Sequence, residues 1–594
     1  MTATAIIQAR MGSSRFPGKM LAELAGRPVL WHIVHRLRRC ATVGQIILAT
    51  SDGAGDDPLA AYAGTLGVTV VRGPEANVLR RFALALEHSA APVVLRICGD
   101  SVLIDPWLID RLVTLLVTTG GDYPQVTTPC SDCGIDAVSR ALLARIIAEK
   151  AEHPIAIEHV TGYLGVDPGF GTVAELALPD QDRALPGARF SIDTPADLAF
   201  MRALYRETGA ATGELGFLEA IAWLKAHPAL IAINAYVRQR QGGEHTPVVV
   251  IRCDAGHALG IGHLVRCLAI ASVLRDRFSA AVTFALGGDP APAAFGGAPA
   301  LAALAREQAF PVAIMAGADP AGELAAVLAR TGADTLLMDL RTPYDAGEIA
   351  AIRAAGCRFA VLDDGGERRL AADLGYYPPA GAALDWTGAQ GRYVAGWDWL
   401  PLRPSFSPPP PWRPQAPPLA LILVGGSDPH GLRSRLLRVA AAALPPEWRI
   451  TLVLGRATIA DPGFDVLATG LGVRLTIAQD VADMAALMAG AALALSVFGG
   501  TAYELAAVGV PAILLGLDAD HARSAAALAE AGAALSLGVA GAVDDETLAA
   551  TIAALAAAPD RRARISATAR ALIDGQGAYR IAGSLLEGRC GGTA

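Results

Sequence analysis

Two short segments carry the residue types that chemistry on phosphates requires. The first is Gln8-Ala9-Arg10-Met11-Gly12-Ser13-Ser14-Arg15-Phe16-Pro17-Gly18-Lys19, a turn of glycines and hydroxyl residues threaded with three cations. Backbone N–H groups at Gly12, Ser13 and Ser14 can curl round a phosphate, while Arg10, Arg15 and Lys19 neutralise its charge. An ordinary glycine-rich turn has no use for so many cations, so Arg10 and Lys19 are read as acting on the reacting phosphates.

The second segment is Gly260-Ile261-Gly262-His263-Leu264-Val265-Arg266. Gly260 and Gly262 permit close approach of backbone to ligand, and His263 falls at a predicted helix start. The positive end of a helix disfavours imidazolium, so His263 is expected to stay neutral and to serve as a general base. His257 has no such setting and reads as a solvent-facing loop residue.

Lysine usage singles out one of these positions. Lys19, Lys150 and Lys225 are the only lysines among 49 basic residues. Arginine prevails elsewhere, so Lys19 marks a place where a compact point charge matters. Chance survival covers Lys150 and Lys225.

The totals exclude several function classes. At 594 residues the chain is too long for one core. A net charge of -8, without a basic cluster, leaves no footprint for nucleic acid. The opening MTATAIIQAR reads as a strand, not a signal peptide, and the eight cysteines are scattered, which predicts a reduced cytoplasmic setting. Cys130 and Cys133 form a CxxC without the second ligand pair that zinc needs. The apolar run from Met484 to Leu517 holds Gly499-Gly500, Glu504 and Pro511, which divide it into helix, strand, loop, helix and strand; no membrane span is expected.

These residues have to be positioned by α/β domains. From Ala5 to about Tyr236, strand-like runs (AIIQAR, QIILAT, TVVRG, VVLRICGD) alternate with helical periodicity, which predicts a parallel sheet covered on both faces. A polar stretch, 238–244, precedes a fresh strand, VVVIRCD, and SPPPPWRPQAPP reads as a stiff extended connector before LALILVGG. The predicted domains are 1–238, a Rossmann-like, GT-A-like nucleotidyltransferase; 247–406, the first lobe of a GT-B-like pair; 407–418, a proline-rich linker; and 419–590, the second lobe.

The first domain resembles the spore-coat polysaccharide (SpsF-type) cytidylyltransferases, relatives of the acylneuraminate and deoxyoctulosonate cytidylyltransferases. The likeness rests on the 8–19 loop, Ala49-Thr50-Ser51, Val78-Leu79-Arg80-Arg81-Phe82 and Arg96-Ile97-Cys98-Gly99-Asp100 with Asp105-Pro106. It returns in Glu158-His159-Val160-Thr161 and in Ser191-Ile192-Asp193-Thr194-Pro195-Ala196-Asp197-Leu198. The resemblance implies cytidylyl transfer from CTP to a sugar, with Mg2+ bridging the triphosphate. Related enzymes use carboxylates at the positions of Asp100 and Asp193, each expected to end a strand, and both are read as magnesium ligands. Asp197 is expected instead to complete a capping box with Thr194. Two positions depart from the pattern: Val138 replaces an acidic residue and Asn77 an aspartate. Both bear on the acceptor-sugar pocket and leave open a different sugar or a weakened enzyme.

The rest, from about Val248, resembles the UDP-sugar hydrolases of pseudaminic acid biosynthesis (PseG type), grouped with two-lobed GT-B glycosyltransferases such as MurG. The resemblance rests on the His263 segment, Val361-Leu362-Asp363-Asp364, Leu402-Arg403-Pro404-Ser405-Phe406 and Gly425-Gly426-Ser427-Asp428-Pro429. It also includes Gly499-Gly500-Thr501-Ala502-Tyr503-Glu504-Leu505 and Gly509-Val510-Pro511. Gly425, Gly426, Ser427, Gly499, Gly500 and Thr501 offer N–H groups to a diphosphate. Glu504, expected on the first turn of its helix, stands where the family binds ribose hydroxyls. Asp520-His521 replaces the family's Asn-Gln.

The resemblance implies removal of UDP from a 2,4-diacetamido-2,4,6-trideoxyhexose, with His263 as base toward water. The two activities flank a missing step in nonulosonic acid synthesis of the pseudaminic or legionaminic type, so a separate phosphoenolpyruvate-dependent synthase is the expected pathway partner. Two alternatives stay open: a second half that transfers sugar to an acceptor, and a first domain that binds nucleotide without catalysis.

Overall fold

The computed structural model describes residues 3–13, 15–131, 134–179, 183–238, 245–254, 261–287, 297–315, 319–342, 346–379, 383–425, 431–454, 462–479, 481 and 483–587. The chain divides into two compact units, Met1–Glu244 and His245–Ala594.

The first unit is built on strands β1 (Ala3–Gln8), β2 (Val43–Ser51), β3 (Thr69–Gly73), β4 (Val93–Cys98) and β5 (Ile135–Ser139), in the order β3-β2-β1-β4-β5. All pairings are parallel except β4 with β5. Alternation along β1 sends Ala5 and Ile7 into one core and Ile6 into another. A strand buried on both faces must be apolar throughout, which is why it reads as a continuous run. The chain leaves β1 toward β2 on one side, with β4 on the other, so a crevice opens at the C-terminal ends of β1 and β4. There Gly99 packs against β1 so closely that a Cβ would stand 2.8 Å from the Gln8 carbonyl oxygen and 2.7 Å from the Ala9 Cβ.

The second unit has two lobes, each with a parallel sheet. The first comprises β6 (Val248–Asp254), β7 (Ala281–Gly287), β8 (Val312–Ile314), β9 (Thr335–Asp339), β10 (Arg358–Leu362), β11 (Leu374–Tyr377) and β12 (Arg392–Ala395), ordered β8-β7-β6-β9-β10-β11-β12. The second comprises β13 (Leu419–Leu423), β14 (Arg449–Leu454), β15 (Leu475–Gln479), β16 (Leu493–Val497), β17 (Ala512–Gly516) and β18 (Leu535–Val539), ordered β15-β14-β13-β16-β17-β18. Both are doubly wound Rossmann-type sheets, and together they form the expected GT-B-like pair. The run from Met484 onward resolves into helix Met484–Ala489, β16, helix Gly500–Val508 and β17. Among the described residues no helix is long and apolar enough to cross a membrane.

Three sequence expectations about boundaries need correction. The 407–418 stretch is no free spacer but a strap lying on the second lobe. Trp412 Nε1 donates to the Ala491 carbonyl at 2.7 Å, and Arg413 N and Gln415 N donate to the carbonyls of Ala489 and Gly490. Leu400, Leu402 and Phe406, assigned to the first lobe, are buried in the core of the second. Conversely helix Gly577–Leu586, placed in 419–590, inserts Ala578, Ile581, Ala582 and Leu585 into the core of the first lobe. Proline stiffness and linear order could not reveal these crossings, because both depend on which apolar surface each segment covers.

Candidate functional sites

In the first unit, the 8–19 loop leaves the end of β1 and is anchored by a residue absent from the sequence reading. Asp56, buried, accepts from Met11 N at 2.6 Å and from Thr50 Oγ1 and Ser51 N at 3.0 Å, and also from the Ser51 hydroxyl. Burial pushes its carboxyl up, but the donated hydrogen bonds outweigh that and hold it below the usual carboxylate range. The Ala49-Thr50-Ser51 motif thus serves to hold Asp56, and Asp56 fixes the loop. Ser13 turns inward, its Oγ accepting from Phe16 N at 3.2 Å, so it shapes the loop. Ser14 lies outside the described residues.

The loop's cations converge with the predicted metal ligands. Lys19 Nζ donates to Asp100 Oδ2 at 3.3 Å, to Asp193 Oδ1 at 3.2 Å and to the Ile192 carbonyl at 2.9 Å. Burial works against the ammonium, yet Asp100 and Asp193 raise its pKa above the ordinary lysine value. Arg15 Nη2 lies 3.2 Å from Asp193 Oδ2, and Arg189 pairs with the same oxygen. Burial raises the Asp193 carboxyl, but Lys19, Arg15 and Arg189 together hold it well below its ordinary value. Arg10 Nη1 pairs with Glu75 Oε1 at 2.6 Å, beside Gly12, where an added Cβ would stand 3.4 Å from the same oxygen.

Asp100 lies two residues beyond β4. Asp193 ends no sheet strand, contrary to expectation; the segment before it makes an isolated β-bridge, Ser191 to Ser101, and Ile192 N donates to the Asp100 carbonyl at 2.9 Å. Thr194 and Asp197 form the predicted capping box of helix Pro195–Thr208. Two hard carboxylates converging on one cation position fit a magnesium ion that completes its shell with phosphate oxygens and water. Among the described residues no cluster of three or more metal-ligating side chains occurs.

The two departures also find physical accounts. Val138 is 1% exposed, in the core with Ile6, Val94, Leu142 and Tyr163. Two residues earlier Asp136 accepts from Arg96 Nη1 at 2.7 Å and from Thr161 Oγ1 at 2.6 Å, and Arg96 Nε also donates to Gln8 Oε1 at 3.0 Å. Asn77 caps helix Val78–Leu86, its Oδ1 accepting from Arg80 N at 2.8 Å, a role open to asparagine and aspartate alike.

In the second unit, β6 leads into helix Gly262–Phe278, with His263 as its second residue. The ring meets Asp339, the last residue of the adjacent strand β9, with Nδ1 at 2.6 Å from Oδ1. A carboxylate only accepts, so Nδ1 carries a proton, and in the neutral ring the lone pair then falls on Nε2. Arg266 binds Asp339 bidentately, Nε to Oδ2 and Nη2 to Oδ1, both at 2.6 Å, and Nη2 lies 3.2 Å from the ring nitrogen. Burial opposes ionisation of Asp339, but Arg266 and His263 hold its carboxyl well below the ordinary range. Arg266 Nη1 reaches on to Asp363 Oδ2 at 3.1 Å, where Arg341 Nη2 also donates at 2.8 Å. Asp363 has φ 51°, the left-handed conformation that aspartate tolerates better than most residues.

Sequence reasoning missed Asp339. Its signal was the one used for Asp100: a carboxylate closing a buried parallel strand, here TLLMD.

On the facing lobe, Gly425 follows β13 with φ 84°, while Gly426 and Ser427 lie outside the described residues, as do Gly260, His257 and Cys133. Gly499 caps and Gly500 opens helix Gly500–Val508, and an added Cβ on either would meet nothing within 4 Å. Thr501 is half-buried in the first turn. Glu504 sits on the second turn, not the first, because the helix opens at Gly500. Arg403 grips it bidentately, Nε to Oε1 at 2.6 Å and Nη2 to Oε2 at 2.7 Å. Asp518 caps the helix beginning at Ala519 through His521 N, which accounts for His521 as a helix-start residue.

Comparison with known proteins gives this geometry a context. Residues 4–217 match the cytidylyltransferase family. The spore coat polysaccharide biosynthesis protein SpsF of Bacillus subtilis (strain 168) is 37% identical over 209 residues, which cover 34% of this chain and 86% of that protein. A 3-deoxy-manno-octulosonate cytidylyltransferase of Nitratidesulfovibrio vulgaris (strain Hildenborough) is 41% identical over 169 residues, 28% of this chain and 59% of that one. Among solved structures, MurG of Acinetobacter baumannii aligns over 57% of this chain and its own whole length, at 16% identity and a TM-score of 0.41. Through its first unit, the chain belongs to the cytidylyltransferase family.

Proposed function

We propose that the chain is bifunctional. Its first unit transfers a cytidylyl group from CTP to a nonulosonic acid of the pseudaminic or legionaminic type. Its second unit hydrolyses a UDP-2,4-diacetamido-2,4,6-trideoxyhexose to UDP and free sugar.

For the first unit the supporting observation is the convergence of Lys19, Asp100 and Asp193 beside a loop of further cations. The acceptor hydroxyl attacks the α-phosphorus and pyrophosphate leaves. Arg10, Arg15 and Lys19 neutralise the triphosphate, and Asp56 keeps the loop amides in place. Asp100 and Asp193 would hold magnesium, which when bound supplies charge neutralisation and Lewis acidity across the phosphates. The polar group of Arg96, Asp136 and Thr161 is the proposed start of the acceptor pocket.

For the second unit the reading rests on the His263–Asp339 contact. With Nδ1–H held by Asp339, Nε2 can take a proton from water as the water oxygen attacks the anomeric carbon. The carbon–oxygen bond to UDP breaks, and the departing diphosphate is met by N–H groups at Gly499 and Gly500. A separate phosphoenolpyruvate-dependent synthase would link the two reactions.

The test is to assay the purified chain for Mg2+-dependent pyrophosphate release from CTP with pseudaminic or legionaminic acid, and for UDP release from the UDP-sugar. Both activities are expected, without net condensation. Absence of pyrophosphate release with either acid would make the first unit a binding module. Sugar transfer to an added acceptor in preference to water would make the second a glycosyltransferase.

A further inference from the structure

In this arrangement the cations of the nucleotide loop are held in ion pairs with carboxylates outside it. Each of the three cations read as phosphate ligands already has a carboxylate partner: Arg10 has Glu75, Arg15 has Asp193, and Lys19 has Asp100 and Asp193. The Lys19 ammonium has three N–H donors and three oxygens around it, at 2.9, 3.2 and 3.3 Å, so none is left for a phosphate. The pairing is sheltered: the Lys19 side chain is 12% exposed and that of Asp193 16%.

We propose that Lys19 is an internal stand-in for the divalent cation. In the nucleotide-free chain it occupies the cation position between Asp100 and Asp193, and on CTP binding it swings to the phosphates and surrenders both carboxylates to the metal. This rests on the assignment of Asp100 and Asp193 as metal ligands.

The physics runs in both directions. A metal arriving alone meets a buried ammonium beside the same two carboxylates, and like charges at that spacing in a sheltered site repel strongly. A triphosphate arriving alone takes two of the three cations from Asp193, leaving it Arg189, and takes Lys19 from Asp100. Arriving together, each supplies what the other displaces, and every charge stays partnered. The exchange also explains why this position holds one of the chain's three lysines. A compact ammonium on a four-carbon stem can let go of two carboxylates, whereas an arginine fork would clamp them.

The test is Mn2+ binding to the full chain without nucleotide, followed by electron paramagnetic resonance. Lys19→Met is expected to bind Mn2+ at least tenfold more tightly than the wild type, and Lys19→Met/Asp100→Asn is expected to lose that gain. Equal affinity in wild type and Lys19→Met, with Asp100→Asn still abolishing binding, would leave the ligands correct and overturn the exchange. Indifference of Mn2+ binding to Asp100→Asn in both backgrounds would remove the ligand assignment, and the proposal with it. A crystal structure of the wild-type chain with Mn2+ and CTP, without acceptor, decides independently of any variant. Lys19 Nζ on a phosphate oxygen supports the exchange; Lys19 still between Asp100 and Asp193 refutes it.

Discussion

Asp339 Oδ1 stands 2.6 Å from His263 Nδ1, joining the end of β9 to the start of the helix Gly262–Phe278 in the first lobe of the second unit. The contact fixes the tautomer and aim of the ring, and Arg266 satisfies the rest of the carboxylate. Asp339→Asn keeps the shape but lets the amide donate to Nδ1, which moves the ring proton to Nε2. UDP release is expected to fall in kcat by roughly 10²- to 10⁴-fold with little change in KM. Steady-state kinetics on the UDP-sugar check this; a kcat within threefold of wild type would remove Asp339 from the mechanism.

The two proposed chemistries are assigned to separate units, so their losses should separate. Asp100→Asn is expected to abolish pyrophosphate release and leave UDP release intact, and His263→Ala to do the reverse. Parallel assays of each variant provide the check.

Asp56 is expected to set both nucleotide affinity and acid stability. Asp56→Ala leaves the Met11 amide and two hydroxyls without their acceptor, each costing about 1–3 kcal/mol while buried, and should raise KM for CTP about tenfold or more. Its folded pKa is depressed. It therefore contributes stability above the unfolded aspartate value of about 3.9, and that contribution is lost as pH falls below it toward the folded value. Thermal unfolding of the first unit between pH 5 and 2 should be less acid-sensitive in Asp56→Asn than in wild type.

Much of this was legible beforehand because it is written in local patterns. The 8–19 loop, the Thr194–Asp197 capping box and the helix starting near His263 depend on residues within a few positions of one another. Asp56, Glu75 and Asp339 were missed because each acts on a residue remote along the chain, and strand order alone brings Asp339 to His263. Val138 was read as bearing on the acceptor-sugar pocket because sequence shows a substitution without showing which way the side chain points; the strand turns it into the core.

Restoring an acidic residue at Val138 should therefore do harm. Val138→Glu places a carboxyl among Ile6, Val94 and Leu142, and keeping it there at neutral pH costs about 3–4 kcal/mol if burial lifts its pKa to about 8–9. A marked drop in the melting temperature is expected, with no gain in cytidylyl transfer. Improved transfer at unchanged stability would contradict the placement.

Arg403 should matter to UDP through Glu504. Arg403→Met frees a mostly buried carboxylate and is expected to weaken UDP binding about tenfold. Arg403→Lys should recover little of that, since an ammonium cannot match the bidentate fork. Calorimetric titration with UDP measures both.

The central claim is hydrolysis of a UDP-sugar by water activated at His263. Its most direct test is incubation of the full chain with UDP-2,4-diacetamido-2,4,6-trideoxy-β-L-altropyranose, and with its gluco isomer, in ¹⁸O-labelled water, followed by mass spectrometry. The account predicts free sugar and unlabelled UDP, both lost in His263→Ala. Label in the UDP phosphate, release that survives His263→Ala, or no UDP release from either isomer would contradict it.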